Sequence, residues 1–187
     1  MKILLSLTGA TGDIYGIRLL TVLKQEGHHV SLIVSRWAEK TIALETSYTV
    51  TEVKAMADVV YDEEDLAAAV ASGSYGIDAT VVAPCTVKTL AAVANGFSDN
   101  LTIRGADVAL KERRPLILMV RETPLSLIHL RNMTAVTEAG GIILPPLPAF
   151  YHQPQTIDDL VDQSVGKALD LLGIPHKLYL RWQGETS

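Results

Sequence analysis

The sequence contains one cysteine, Cys85, among 187 residues, so no intrachain disulfide framework can form. That usage fits a reducing compartment, and a cytoplasmic location is expected. There is no basic block. The net charge is −5, with acids and bases interspersed, which argues against nucleic acid as a partner. No stretch approaches the ~18–20 apolar residues of a membrane span. The apolar run Ile3–Leu7 is too short for a signal-peptide core, and a glycine-rich turn follows at once. No His, Cys, Asp and Glu group has metal-ligand spacing, so no metal is expected. Internal repeats, low-complexity tracts and linkers are also lacking, which leaves one domain over 1–187. What the chain does have is apolar residues, 48% of the total, with a mean hydropathy of +0.24. That surplus points to surface buried between subunits.

The apolar residues fall into short runs that alternate with helical spacing. Strands are predicted at Ile3–Leu7, His29–Val34, Val59–Tyr61, Asp78–Ala83, Leu116–Val120 and Ile142–Leu144. Helices are predicted at Ile14–Gln25, Trp37–Glu45, Glu63–Ala71, Thr86–Ala94, Asp99–Arg113, Leu125–Glu138 and Ile157–Leu172. Ser35 is placed to cap the second helix, and Gly173 to end the last. Strands that are apolar throughout and alternate with helices imply a parallel sheet covered on both faces. The predicted fold is therefore α/β: a Rossmann-like or flavodoxin-like three-layer domain with a mainly parallel sheet. Ligands of such sheets sit beyond the C-terminal ends of the strands. The loops that matter are then TGATG, Ser35–Arg36, PCTVKT, RETPL and the proline-rich segment 145–154.

TGATGDIYG (8–16) is a strand-to-helix turn whose glycines would let backbone N–H groups approach an anion. Its spacing differs from the dinucleotide pattern G-x-G-x-x-G. The second strand ends in Ser35-Arg36, where an NAD site would place an acid for the ribose. Arg36 would tolerate a 2′-phosphate, but no tyrosine has a lysine four residues later, as a short-chain reductase would. Dinucleotide reduction is thus the weaker reading. In Pro84–Thr89 two hydroxyls, a lysine and a helix start suit a flavin edge or a phosphate, while capping by Thr86 alone explains the segment equally well. Cys85 adjoins a buried strand and reads as a small hydrophobe. Arg104 and Lys111 lie two turns apart on one helix face, and Arg121-Glu122 stands where ligand loops emerge. The rigid segment PPLPAFYHQP (145–154) presents Tyr151 as a phosphate donor or a π face.

Together TGATGDIYGIRLL (8–20), SRWAEKTIALET (35–46), APCTVKTLA (83–91), ADVALKERRPL (106–116), RETPLSLIHLRNM (121–133), PAFYHQPQTIDDLV (148–161) and RWQG (181–184) resemble the flavin prenyltransferases of the UbiX/Pad type. The resemblance covers nearly the whole chain. It implies a dodecamer with its site at subunit contacts, and a segment 174–187 packing over the site or a neighbour. It implies FMN held by Gly9, Ala10, Thr11, Ser35, Thr86, Val87, Lys88, Thr89 and Arg121. It implies dimethylallyl phosphate held by Tyr151, Lys167, Arg104 and Lys111. Glu122 and Glu45 would be acids at the reacting centre, and Trp182 would close the pocket. Thr11 and Thr86 stand where serine is frequent in the family, Gly105 where alanine is common, and Lys167 where arginine is usual.

The resemblance further implies that the dimethylallyl group is joined to N5 and C6 of reduced FMN, and that the prenylated FMN passes to a UbiD-type decarboxylase. Cations would stabilise the departing phosphate and aromatic faces the allylic cation. Glu122 or the released phosphate would take the ring proton. Two other classes compete. A flavin-dependent cysteine decarboxylase would carry a PxMNxxMW-like segment, which is missing. A flavin carrier without activity would not need Glu122, Lys111 and Tyr151.

Overall fold

The computed structural model describes residues 1–182 and 184. Six strands, β1 (Lys2–Leu7), β2 (His29–Val34), β3 (Val59–Tyr61), β4 (Ala79–Cys85), β5 (Leu116–Val120) and β6 (Ile142–Ile143), pair in parallel in the order β3-β2-β1-β4-β5-β6. This is the Rossmann order of a doubly wound sheet, and its direction of winding reverses between β1 and β4. The strands alternate between two buried faces. Ile3, Leu5 and Leu7 of β1, Val30 and Leu32 of β2, Val81 of β4 and Ile117 of β5 share one cluster. That face is covered by α1 (Asp13–Gln25), α2 (Arg36–Glu45) and α7 (Ile157–Leu171). Val82, Leu116, Leu118 and Val120 point the other way, against α4 (Val87–Ala94), α5 (Leu101–Lys111) and α6 (Leu127–Glu138). Burial on both sides is why the strands read as continuous apolar runs.

The sequence reading misplaced two segments. Glu63–Ala71 is not a helix: it is a run of turns ending in a 3-10 turn at Ala69–Ala71. The side chains of Asp62 and Asp65 accept hydrogen bonds from the backbone N–H of Glu64 and Ala67 at 3.0 Å each. These local bonds compete with helix formation and outweigh the alanine propensity. Conversely, Val50–Ala55 forms the short helix α3, which the hydrophobic spacing did not reveal. Its signal was the capping box of Thr49 and Glu52, which satisfies two free amides at the helix start. The fourth predicted strand also runs two residues past Ala83, through Pro84 to Cys85.

Residues 174–182 return along α7. Asp170 gathers three side chains from this segment: Tyr179 donates to Oδ2 at 2.7 Å, Arg181 grips both oxygens, and His176 Nε2 lies 3.1 Å from Oδ1. Burial raises the proton affinity of Asp170, but the bonds from Arg181, Tyr179 and His176 prevail and bring its pKa down to about 2. Because the folded value lies below the ordinary 3.8, the stabilisation is present above about pH 4. It disappears as the pH falls towards 2. Asp170→Asn is expected to lower the melting temperature at pH 6 to 7, with the difference from wild type shrinking below pH 4. A melting-temperature series against pH checks this; a constant difference down to pH 2 would contradict it.

Helix α1 meets the sheet at Gly16. A Cβ there would stand 2.1 Å from the Ala83 carbonyl oxygen and 2.9 Å from Leu7 Cγ. Leu7 and Ala83 are fully buried, so neither side can yield cheaply. Gly16→Ala is therefore expected to destabilise the chain by about 1–3 kcal/mol, the usual range for overpacking, as read by urea unfolding.

Candidate active site

At the point where the winding reverses, the C-terminal ends of β1 and β4 must separate to let two loops emerge. The buried Thr8 hydroxyl holds them in register: it donates to the Pro84 carbonyl at 2.8 Å and accepts from the Thr86 amide at 3.0 Å. The neighbouring ends are pinned as well, Ser35 N to Leu7 O at 3.0 Å and Arg121 N to Cys85 O at 3.1 Å. One strand edge thus carries the turn Gly9–Gly12, the β2 exit at Ser35, the β4 exit at Thr86 and the β5 exit at Arg121.

The turn itself closes on an acid. Gly12 adopts φ +98°, a left-handed conformation that a glycine takes without strain. Its amide donates to Glu45 Oε2 at 2.8 Å, bringing the end of α2 onto the start of α1. Ala10 is buried and Thr11 half-buried beside it. Ser35 caps α2 by accepting from Ala38 N at 3.1 Å. Thr86 caps α4 by accepting from Thr89 N, also at 3.1 Å, and the two hydroxyls lie 2.9 Å apart. Both readings of Pro84–Thr89 therefore remain compatible. The cap is made, and Val87 and Lys88, the first residues of α4, still have no helical carbonyl to bond. An edge bearing free first-turn amides, hydroxyls and the exposed guanidinium of Arg121 has the donor set for a phosphorylated, polar-edged ligand. Glu122, exposed next to Arg121, accepts from the Thr123 amide at 2.9 Å.

Cys85 is fully buried, and burial pushes its thiol far up, so it is held neutral and packs as a hydrophobe. A buried acid that the motif reading passed over sits in the same turn. Asp13, the first residue of α1, has no exposed surface, and neither carboxylate oxygen has a hydrogen-bond partner among the described residues. Burial, together with repulsion from Glu45 and against the pull of the Thr41 hydroxyl, pushes its carboxyl up to about 7. The one sequence signal was an acid directly after Gly12, at the head of an otherwise apolar helix face.

The remaining expected residues lie in other places. Tyr151 packs against His152, with ring centres 5.7 Å apart, and against Trp182 at 6.3 Å. His152 in turn meets Tyr179, which rests on α7 at Gly166, so this aromatic group stands over the helix that carries the exposed Lys167. Trp182 is thereby joined to its own chain; residues 183 and 185–187 of the expected closing segment lie outside the described residues. Arg104 donates to Ala71 O and pairs with Asp107, while Lys111 pairs with Glu112. Helix α5 runs back from the ligand edge, so Lys111 is roughly 10 Å farther along its axis than Arg104, near the opposite end of the sheet. Among the described residues, no hydrogen bond or ion pair links Arg104, Lys111 or Lys167 to Glu122. One chain therefore brings together most of the residues expected to hold FMN but not those expected to grip the phosphate.

Residues 1–169 match the model of the Flavoprotein family. The chain is 52% identical to the flavin prenyltransferase UbiX of Thauera aromatica over 98% of its length and 95% of the relative's. It superposes on the crystal structure of AnUbiX (PadA1) in complex with FMN and dimethylallyl pyrophosphate with a TM-score of 0.97, at 50% identity, covering 99% of this chain and 98% of that one. For the dodecameric FMN-dependent UbiX-like decarboxylase from Escherichia coli O157:H7 the TM-score is 0.96, at 45% identity, covering 98% of this chain and all of the other. The peptidyl-cysteine decarboxylase EpiD, at 18% identity and a TM-score of 0.64, shares the fold alone. With its sheet order, its site edge and near-complete alignment to these relatives, the chain belongs to the UbiX family of flavin prenyltransferases.

Proposed function

We infer that this chain is a flavin prenyltransferase that transfers a dimethylallyl group from dimethylallyl phosphate to reduced FMN. The product, prenylated FMN, is then used by a UbiD-type decarboxylase. The observation that carries the reading is the convergence on one strand edge of the Gly12–Glu45 bond, the Thr86–Thr89 cap and the exposed Arg121-Glu122 pair, in a chain of this family. When bound, reduced FMN supplies the electron-rich ring that accepts the prenyl group at N5 and C6.

The chain's own residues have separable tasks. Gly9, Ala10, Thr11, Ser35, Thr86, Val87, Lys88 and Thr89 hold the flavin, with Arg121 balancing its negative charge. Glu122 accepts the proton lost from the flavin edge at its carboxylate, and Glu45 fixes the glycine turn from the other side. Tyr151 and Lys167, with Arg104 and Lys111, hold the phosphate and stabilise the charge it gains on leaving. Arg104 and Lys111 lie on α5, away from Glu122 of the same chain, so they serve a neighbouring copy's site in a homododecamer. Exposed Trp37, Leu44, Phe97, Leu127, Ile128 and Phe150 supply apolar surface for such contacts. Tyr151 and Trp182 keep water from the allylic cation. A cytoplasmic location belongs to the same reading, because the substrate is the reduced flavin.

The reading is tested by incubating the chain with reduced FMN and dimethylallyl phosphate and weighing the flavin. A mass gain of one dimethylallyl group is expected; an unchanged flavin would reject the assignment. Glu122→Gln is expected to bind FMN normally and to slow prenylated-flavin formation by ~10²–10⁴-fold in single turnover, the usual contribution of an acid–base group.

Lys167 offers a point charge where a planar arginine fork would grip two oxygens. Lys167→Ala is expected to raise the KM for dimethylallyl phosphate roughly 10–100-fold, as loss of a charged hydrogen bond does, with FMN affinity unchanged. Steady-state kinetics against each substrate checks this; an unchanged KM would make Lys167 a surface residue.

A further inference from the structure

Asp13 has the features of a group kept for its proton. Buried carboxylates are normally paired or neutralised, because desolvation penalises the charged form. Asp13 is fully buried and unpaired, although it is the residue next to Gly12, whose amide Glu45 holds at 2.8 Å. Thr41 on α2 stands beside it, and the Thr41 hydroxyl directs its one proton to the carbonyls of Trp37 and Ala38, both at 3.2 Å. The Thr41 hydroxyl eases the ionised form of Asp13, but burial, reinforced by the charge of Glu45, outweighs it and favours the neutral acid.

The groups around Asp13 leave it no counter-ion. From α2 it faces Thr41 and Glu45. On α1, Tyr15 faces Arg121, and Arg18 is closed by Asp162 of α7 at 2.6 Å. Strand β4 contributes no charge, its buried Cys85 thiol being neutral, and the only charge of β1, Lys2, is at the other end of that strand. The nearest ionisable neighbour is therefore an acid. The like charge of Glu45 adds to burial in favouring the neutral form of Asp13.

We propose that Asp13 is a positioning residue for Glu45: as the neutral acid it leaves Glu45 undisturbed on the Gly12 amide, and its ionisation drives Glu45 off and opens the flavin turn. The carboxyl titrates near neutrality, at about 7. The Glu45-held turn is thus intact below that pH and lost above it. Prenyl transfer by the wild type then falls with rising pH, by up to tenfold per unit beyond about pH 7.5. The consequence for turnover rests on the prenyltransferase reading; the titration of Asp13 does not.

Two measurements separate these. Single-turnover prenylation is followed from pH 5.5 to 9 for wild type, Asp13→Asn and Glu45→Gln. Asp13→Asn keeps the shape and cannot ionise, so its rate is expected to lose the alkaline decline; a decline parallel to wild type would overturn the proposal. Glu45→Gln, slower throughout, should likewise show no alkaline limb that depends on Asp13. Independently, carbon-13 NMR of the wild type labelled at aspartate carboxyls is expected to show one carboxyl titrating between pH 6 and 8. That experiment needs neither catalysis nor a folded variant. If every aspartate titrates below pH 5, the proposal fails even where prenylation is observed. If the neutral-range carboxyl is present but no prenylated flavin forms, the prenyltransferase reading fails instead.

Discussion

The site depends on one buried hydroxyl. Where β1 and β4 lie side by side and the winding of the sheet reverses, both strands must end together and release their loops in opposite directions. Thr8 accomplishes this by donating to Pro84 and accepting from Thr86, so that both strand ends are tied through one oxygen. Replacing it with an apolar side chain would leave the Thr86 amide unpaired and the Pro84 carbonyl with only the bond from the Thr8 backbone N–H, a loss folded proteins avoid. The starts of α1 and α4 inherit their positions from that tie, and with them the free amides that face the ligand edge.

A second constraint is the closeness of α1 to the sheet. Only a glycine at position 16 permits the helix to lie on Ala83 and Leu7. That approach carries Asp13 into a place without water and brings Gly12 within reach of Glu45. The buried acid is therefore a consequence of the same packing that forms the turn. Its unpaired state is tolerated because the proton affinity of a carboxyl can rise, whereas a permanently charged group would have to be matched by a cation. Asp170 at the end of α7 follows the ordinary pattern: only partly buried, it is satisfied by Arg181, Tyr179 and His176, and its pKa moves in the opposite direction.

The residues proposed to hold the phosphate illustrate a limit of the single chain. Arg104 and Lys111 share a helix face, as their spacing foretold, yet α5 carries Lys111 away from the strand edge where Glu122 stands. The aromatic group of Tyr151, His152, Tyr179 and Trp182 gathers over α7, near Lys167. The proposed set, divided in this way, is suited to an assembly in which each copy completes its neighbour's site.

The amino-acid sequence by itself determined the strands, six of the seven helices to within two residues at each end, the parallel sheet and the loops that bear the site. It did so because these follow from local quantities: apolar period, caps such as Ser35 and Thr86, and glycine breaks. It failed at Glu63–Ala71, where alanine propensity competed with aspartate-to-backbone bonds, and at α3, whose six residues are too few for a periodic signal. Only the tertiary structure decided which loops meet and which charges are buried. The Thr8 bridge joins residues 76 and 78 positions apart, and Asp13 is unlike an ordinary surface acid solely because α2 and the sheet enclose it. Burial and long-range contact depend on how the elements pack, and no window of neighbouring residues contains that information.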